Sequence, residues 1–184
     1  GCWLGFFLLL SFVALGYLNS MAPNFPIRSN ILLPKKSVLL DRPKLITELN
    51  NAFKEQTGIQ TVALIGIGGT GKTTLALQYA HTQKASVIWQ IKADTLTSFK
   101  DSFQILAYAL AQTEEDKKIL HGLQDIKSIA ERDAKFILFA QDKMKTHPHW
   151  LLIFDNVEVL QDILPYFPND TAVWGPGKII LTTR

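Results

Sequence analysis

"TVALIGIGGTGKTTLALQYA", residues 61–80, contains two overlapping phosphate-binding patterns. Gly66, Gly68 and Gly71 form G-x-G-x-x-G, the pattern of dinucleotide-binding Rossmann folds. Residues 66–73, "GIGGTGKT", also form G-x-x-x-x-G-K-[ST], the pattern of loops that bind nucleoside triphosphates. The two loops serve different chemistry, so the neighbouring residues must distinguish a nicotinamide enzyme from a triphosphate-binding protein.

The residues after the last glycine favour the triphosphate loop. Lys72 would carry a positive charge to the β- and γ-phosphates, and Thr73 would offer a hydroxyl to Mg²⁺. The glycines allow backbone N–H groups to surround phosphates at a helix N-terminus. A Rossmann loop has no use for this lysine, and its ribose-binding acid would be Asp94, which lies beyond the tip of the next strand. The loop therefore predicts ADP or ATP with Mg²⁺ as cofactors, and an NAD-dependent oxidoreductase is the least favoured alternative.

A second motif supports this prediction from far along the chain. "WLLIFD", residues 150–155, is an apolar run that ends in Asp155. This arrangement is typical of the Walker B strand, whose aspartate holds the magnesium ion. An alternative is that "DNVE" is a helix capping box, with Asp155 as the N-cap and Glu158 three residues later.

Composition limits the remaining classes of function. The 184 residues allow one domain with a substantial core. The formal net charge is +3 and the basic residues are scattered, so no nucleic-acid partner is predicted. The single cysteine, Cys2, cannot form an internal disulfide, which fits a reducing, cytoplasmic compartment.

Apolar runs alternate with helical patterns after residue 38. Strands are predicted at 61–66, 86–91, 150–155 and 178–183. Helices are predicted at 39–53, 73–82, 96–111 and about 125–145, and "TEEDKK" (113–118) is interpreted as a solvated turn or helix face. This alternation predicts an α/β fold, a three-layer P-loop NTPase core with a mainly parallel sheet.

Two of these helices have a predicted buried face. In the first, Pro43 suits the first helical position. Its apolar face would consist of Leu45, Ile46, Leu49 and Phe53. In the helix at about 125–145, the residues at helical spacing are Ile126, Ile129, Ala130, Ile137 and Met144.

The N-terminal part has a different character. Residues 1–18 are uncharged and almost wholly apolar. Their length is at the lower limit for a helix that spans a membrane. Basic residues follow, so the positive-inside rule would leave the rest of the chain on the cytoplasmic side of the inner membrane. The predicted organisation is a transmembrane segment at 1–20, a linker at 21–37 and a nucleotide-binding domain at 38–184. The alternative is that Met21 is the true start, and the first twenty residues are not native.

Four segments together resemble a known family: "LIGIGGTGKTTLALQYA", "VIWQIKAD", "WLLIFDNVE" and "GKIILTTR". In this order they are similar to the NB-ARC branch of the STAND class of P-loop ATPases, over roughly residues 38–184. The likeness is greatest to bacterial members with helical, tetratricopeptide-type repeats after the ATPase domain, so the chain would be an N-terminal fragment. The resemblance implies a switch, closed with ADP and opened by exchange for ATP. It also implies protein partners or self-assembly through the missing C-terminal region.

The resemblance also implies roles for individual residues. Those that would bind the phosphates and the metal are Gly66, Gly68, Gly69, Thr70, Gly71, Lys72, Thr73 and Thr74. Asp155 would join Thr73 at the metal, and Lys72, Asp155 and Arg184 would be the catalytic residues. Arg184 matches the sensor arginine, whose permanent charge can distinguish ATP from ADP. Arg42 is assigned to the nucleotide site although Asp41 stands where the family often has glycine.

One departure from fast ATPases concerns hydrolysis. Many of them place a glutamate after the Walker B aspartate to activate water, whereas this chain has Asn156. An amide cannot accept a proton from water, so slow or partner-dependent hydrolysis is expected. Two alternatives remain open, a nucleotide-binding scaffold without hydrolysis and a plain P-loop phosphotransferase, and the latter would need a lid and a base that the sequence does not reveal.

Overall fold

The structure, a computed structural model, describes residues 28–32, 41–54 and 57–184. The membrane segment predicted at residues 1–18 lies outside these ranges, as does most of the predicted linker. No helix in the described ranges is both long enough and apolar enough to cross a membrane. The predicted anchor therefore stays a prediction.

Five parallel strands form one sheet. They are β1 (Arg28–Ser29), β2 (Ile59–Ile65), β3 (Val87–Lys92), β4 (Trp150–Val157) and β5 (Gly177–Thr183). The order across the sheet is β1-β3-β4-β5-β2. The four strands predicted from apolar runs are confirmed as β2 to β5, and the short β1 lies within the segment predicted as a linker.

The strand order separates the two interpretations of the glycine loop. In a Rossmann fold, the strand that follows the glycine loop lies directly beside the loop strand. Here β4 and β5 lie between β2 and β3, so the end of β3 is about 14 Å across the sheet from β2 at the usual strand spacing. Asp94 follows β3 and is therefore too far away to hold a ribose at the glycine loop. The dinucleotide interpretation does not fit this topology.

Helices cover both faces of the sheet. They are α1 (Pro43–Ala52), α2 (Lys72–Thr82), α3 (Leu96–Leu110), α4 (Glu114–Gln124), α5 (Ile129–Lys145), α6 (Leu160–Ile163) and α7 (Thr171–Trp174), with a 3₁₀ turn at Leu164–Tyr166. Along β4, Leu151 and Ile153 face the core under α1 and α2. Trp150, Leu152 and Phe154 alternate with them and face the core under α3 and α5. The predicted three-layer α/β core is confirmed.

Some predicted helix faces are wrong in detail. Leu45 of α1 is exposed, whereas Leu49 and Phe53 are buried against α2. In α5, Ile129 and Ala130 are exposed. The buried face of that helix starts later and consists of Phe136, Ile137, Ala140 and Met144. The apolar residues at the start of α5 pack against neither core cluster, and periodicity alone could not exclude them.

The segment at 113–118 begins α4, so the solvated turn is wrong and the solvated helix face is confirmed for all of its residues except Asp116. Thr113 caps this helix, and the Asp116 carboxylate accepts a hydrogen bond from the Thr113 backbone N–H, which completes a capping box. The Asp116 carboxylate is buried and accepts a 2.6 Å ion-pair contact from Lys143 of α5. Asp116 is therefore the one residue of this exposed charged segment that holds α4 against α5.

Candidate functional site

The glycine loop joins the end of β2 to the start of α2. Gly69 and Gly71 have φ angles of 80° and 79°, in the left-handed region that glycine enters without a Cβ penalty. Gly71 is the residue before α2, and as a glycine it has no side chain that could cap the first N–H groups of the helix. These N–H groups and the positive end of the helix dipole favour an anion at this point.

A cleft of about 360 Å³ lies over this loop. Most of the residues predicted for the site line it, and the full lining is Gly68, Gly69, Gly71, Lys72, Thr73, Thr74, Asn156, Thr182 and Arg184. Segments from the start of α2, the end of β4 and the end of β5 thus meet at one edge of the sheet. This is the carboxyl edge, where parallel α/β sheets bind their ligands.

Two predicted residues of the loop itself, Gly66 and Thr70, do not line the cleft. The Gly66 carbonyl oxygen accepts a 2.6 Å hydrogen bond from the Lys72 ammonium group, and the Ile67 carbonyl accepts another at 2.9 Å. The Thr70 hydroxyl donates to the Ile67 carbonyl at 2.9 Å. The loop therefore closes on itself and holds the Lys72 ammonium group beside the cleft.

Asp155 meets Thr73 beneath the glycine loop. The Thr73 hydroxyl donates to Asp155 Oδ1 at 2.5 Å, across 82 residues of sequence. Strand β4 continues through Asp155 to Val157, and the next helix begins only at Leu160. The alternative in which Asp155 caps a helix is therefore wrong.

Two further residues, which were not among the predicted site residues, hold the same carboxylate. Thr182 of β5 donates to Asp155 Oδ1 at 2.8 Å. Gln90 of β3 donates its side-chain amide to Asp155 Oδ2 at 3.0 Å. Strand alternation could have indicated both residues. Gln90 and Thr182 each lie two positions after a residue that faces α2, and so on the same face of the sheet.

Thr73 and Asp155 fit a magnesium ion. A hydroxyl and a carboxylate oxygen are hard ligands, and Mg²⁺ in phosphate sites uses one or two carboxylates together with the phosphates of the substrate. The described residues contain no cluster of three or more His, Cys, Asp or Glu that would hold a metal by itself. The donor set therefore matches a metal shared with a bound phosphate.

The two arginines occupy different positions. Arg184 lines the cleft, and a Cβ built on Gly68 would lie 3.8 Å from its Nε. Arg42 lies behind the loop, where its guanidinium donates to the carbonyls of Thr70 and Gly71 at 3.3 and 3.5 Å. Arg42 therefore contacts the loop backbone and does not line the cleft, so its predicted contact with the nucleotide stays a prediction.

Asn156 occupies the position of the missing glutamate and lines the cleft. Its φ is 59°, and its backbone N–H donates to the Thr182 hydroxyl at 2.8 Å. Asparagine tolerates this left-handed conformation better than glutamate does. The nearby Glu158 is exposed and accepts a 3.4 Å hydrogen bond from the Asn156 side chain.

The sequence model of the NB-ARC domain family matches residues 42–184, which is most of the chain. A search of curated proteins finds no match.

Proposed function

Because the chain belongs to the NB-ARC domain family, a family of nucleotide-binding regulatory ATPases, we propose that it is an ADP/ATP switch with slow, Mg²⁺-dependent hydrolysis. One observation carries this proposal: Thr73 and Asp155 are in direct contact beneath a glycine loop that also holds Lys72. Exchange of ADP for ATP would then control assembly with protein partners.

The residues that line the cleft, together with Asp155 beneath the loop, have different roles. The N–H groups of the loop and of the first turn of α2 bind the phosphates, and Lys72 places its charge beside the β- and γ-phosphates. Thr73 and Asp155 hold Mg²⁺, which when bound neutralises charge on the phosphate oxygens. Arg184 lies at the tip of β5, where a permanent positive charge would favour the additional phosphate of ATP.

The surroundings of Asn156 support slow hydrolysis. Its amide cannot take a proton from an attacking water molecule. Glu158 points its carboxylate toward the Asn156 side chain and is exposed to solvent, so it is poorly suited to act as a general base. The same observation keeps a second candidate open, in which the domain binds nucleotide as a scaffold without hydrolysing it.

Nucleotide titrations of the wild-type chain and two lysine variants test the proposal. The wild type should bind ADP and ATP, and Lys72→Ala should weaken both by about 10- to 100-fold because a charge-assisted contact is lost. Lys84→Ala is the matched control, because Lys84 is exposed and lies beyond the C-terminal end of α2. Binding of NAD that does not depend on Lys72, without binding of ATP, would overturn the proposal.

Single-turnover hydrolysis distinguishes the switch from its alternatives. Slow conversion of bound ATP to ADP, abolished by Asp155→Asn, is the expected result. Complete absence of conversion would favour the scaffold. Cleavage of many ATP molecules per second by this chain alone would contradict the argument from Asn156.

A further inference from the structure

Three side chains donate hydrogen bonds to the Asp155 carboxylate, and only one of them would also bind the metal. Thr73 is itself a proposed ligand of Mg²⁺, so its hydroxyl belongs to the metal site. Thr182 and Gln90 do not share that role, and each donates to one oxygen of the carboxylate, at 2.8 and 3.0 Å respectively. These two donors fix the rotation of the carboxylate and leave Oδ1 directed toward Thr73.

Gln90 reaches Asp155 because of the register between their strands. Lys92 lies opposite Asp155 in the parallel pair of β3 and β4, and Gln90 is two residues earlier on the same face. The half-buried Gln90 side chain therefore extends along the sheet to Oδ2. Without this donor, Asp155 would keep its place in the strand, but its carboxylate would lose the hydrogen bond from Gln90 to Oδ2.

The backbone of Gln90 is in turn held by Asn30. The Asn30 side-chain amide donates to the Gln90 carbonyl at 3.0 Å, and the Gln90 N–H donates to Asn30 Oδ1 at 2.8 Å. Asn30 directly follows β1, where Ser29 pairs with Ile88, so its side chain extends the pairing of β1 with β3. Asn30 is therefore connected to Asp155 through Gln90: its side chain binds the Gln90 backbone, and the Gln90 side chain binds the carboxylate.

We propose that Gln90 is a positioning residue for the magnesium carboxylate and that Asn30 positions Gln90. The segment 28–32 thereby contributes to the metal site without touching the nucleotide cleft. This inference rests on the proposed function of Asp155 as a magnesium ligand. Partners of metal ligands that fix ligand orientation change metal affinity by about 10- to 100-fold when they are removed.

A purely structural role for Gln90 predicts a different result. If Gln90 only supported the fold, its loss would weaken nucleotide binding equally with and without Mg²⁺. If it positions Asp155, phosphate binding by the glycine loop persists in a metal chelator, and only the response to Mg²⁺ changes. Binding of a fluorescent ADP, in EDTA and over a series of free Mg²⁺ concentrations, separates the two roles.

The test uses the whole chain with Gln90→Met, which keeps the side-chain length and removes the amide. Gln124→Met is the matched control, because Gln124 also makes one side-chain bond, to the Tyr108 hydroxyl at 2.8 Å, but lies on α4. The expected result for Gln90→Met is a rise of about 10-fold in the half-saturating Mg²⁺ concentration, with unchanged ADP affinity in EDTA. Asn30→Ala should shift the same quantity in the same direction by a smaller factor.

The outcomes separate this inference from the proposed function. A wild-type chain that binds no ADP, or that binds ADP with no response to Mg²⁺, would overturn both. A normal wild-type response with Gln90→Met equal to Gln124→Met would overturn the positioning role alone, as would equal losses in EDTA and in Mg²⁺. Gln90→Asn, whose amide is one methylene shorter, and Asn30→Ala carry the same test if Gln90→Met does not fold.

Discussion

Alanine at position 71 should destabilise the domain, although glycine-to-alanine changes in helices usually stabilise proteins. Gly71 has φ 79°, and alanine in this left-handed conformation costs about 1–2 kcal/mol. Its new Cβ would lie 2.7 Å from Nη2 of Arg42, which would have to leave its contacts with the loop carbonyls. Alanine also reduces the conformational entropy of the unfolded chain, which raises the free energy of unfolding by about 0.4–1 kcal/mol. The net expectation is a loss of about 1–2 kcal/mol in the free energy of unfolding, including the displaced arginine.

Gly122 provides the matched control, since it lies within α4 and a Cβ there meets no atom within 4 Å. Gly122→Ala should raise the free energy of unfolding by about 0.5–1 kcal/mol. Urea denaturation followed by circular dichroism measures both variants, and the melting temperatures should move in opposite directions by about 2–4 °C per kcal/mol. ADP binding should weaken for Gly71→Ala only. A Gly71→Ala protein as stable as wild type, with unchanged ADP affinity, would refute the geometry assigned to this loop.

Two further predictions concern the scaffold and its response to acid. Gly177→Ala should lower the free energy of unfolding by about 2–4 kcal/mol, because the new Cβ would lie 2.1 Å from the buried Trp150 ring. The ring cannot move without weakening the hydrogen bond from its Nε1 to the Trp174 carbonyl. A loss below about 1 kcal/mol in urea denaturation would contradict this packing. The hydrogen bond from Lys143 is the largest cause that lowers the pKa of Asp116 from 3.8 to about 2. The carboxylate therefore contributes up to about 2 kcal/mol above pH 3.8, and this is lost as the pH falls through about 2. Lys143→Met should remove most of this acid dependence from unfolding curves, and an unchanged dependence would show that the ion pair is not its source.

The glycine loop illustrates what could be predicted locally. Gly69, Gly71, Lys72 and Thr73 are consecutive or nearly so, and their chemistry depends on backbone conformations that glycine alone favours. The apolar run before Asp155 likewise predicts a buried parallel strand from residue type alone. Pattern and chemistry therefore identified the loop, the strand and the class of ligand.

Details that depend on neighbours in space were less accessible. Leu45 and Ile129 have helical spacing, but both are exposed and neither belongs to the two core clusters. Asp116 looked solvated until α5 brought Lys143 to within 2.6 Å. Burial depends on how the helices and the sheet pack together, whereas the periodicity of the sequence indicates only which residues lie on the same face of a helix.

Residue types and their spacing predicted a glycine loop of the triphosphate-binding pattern, a distant carboxylate near a strand end, and alternating strands and helices that form a parallel sheet. The tertiary structure decided the strand order, which places β4 and β5 between the glycine-loop strand and β3 and so removes the dinucleotide interpretation. It also brought Gln90 and Thr182 to the two oxygens of Asp155. This difference arises because the chemistry of a side chain follows from its residue type, whereas its hydrogen-bond partners depend on which strands lie side by side.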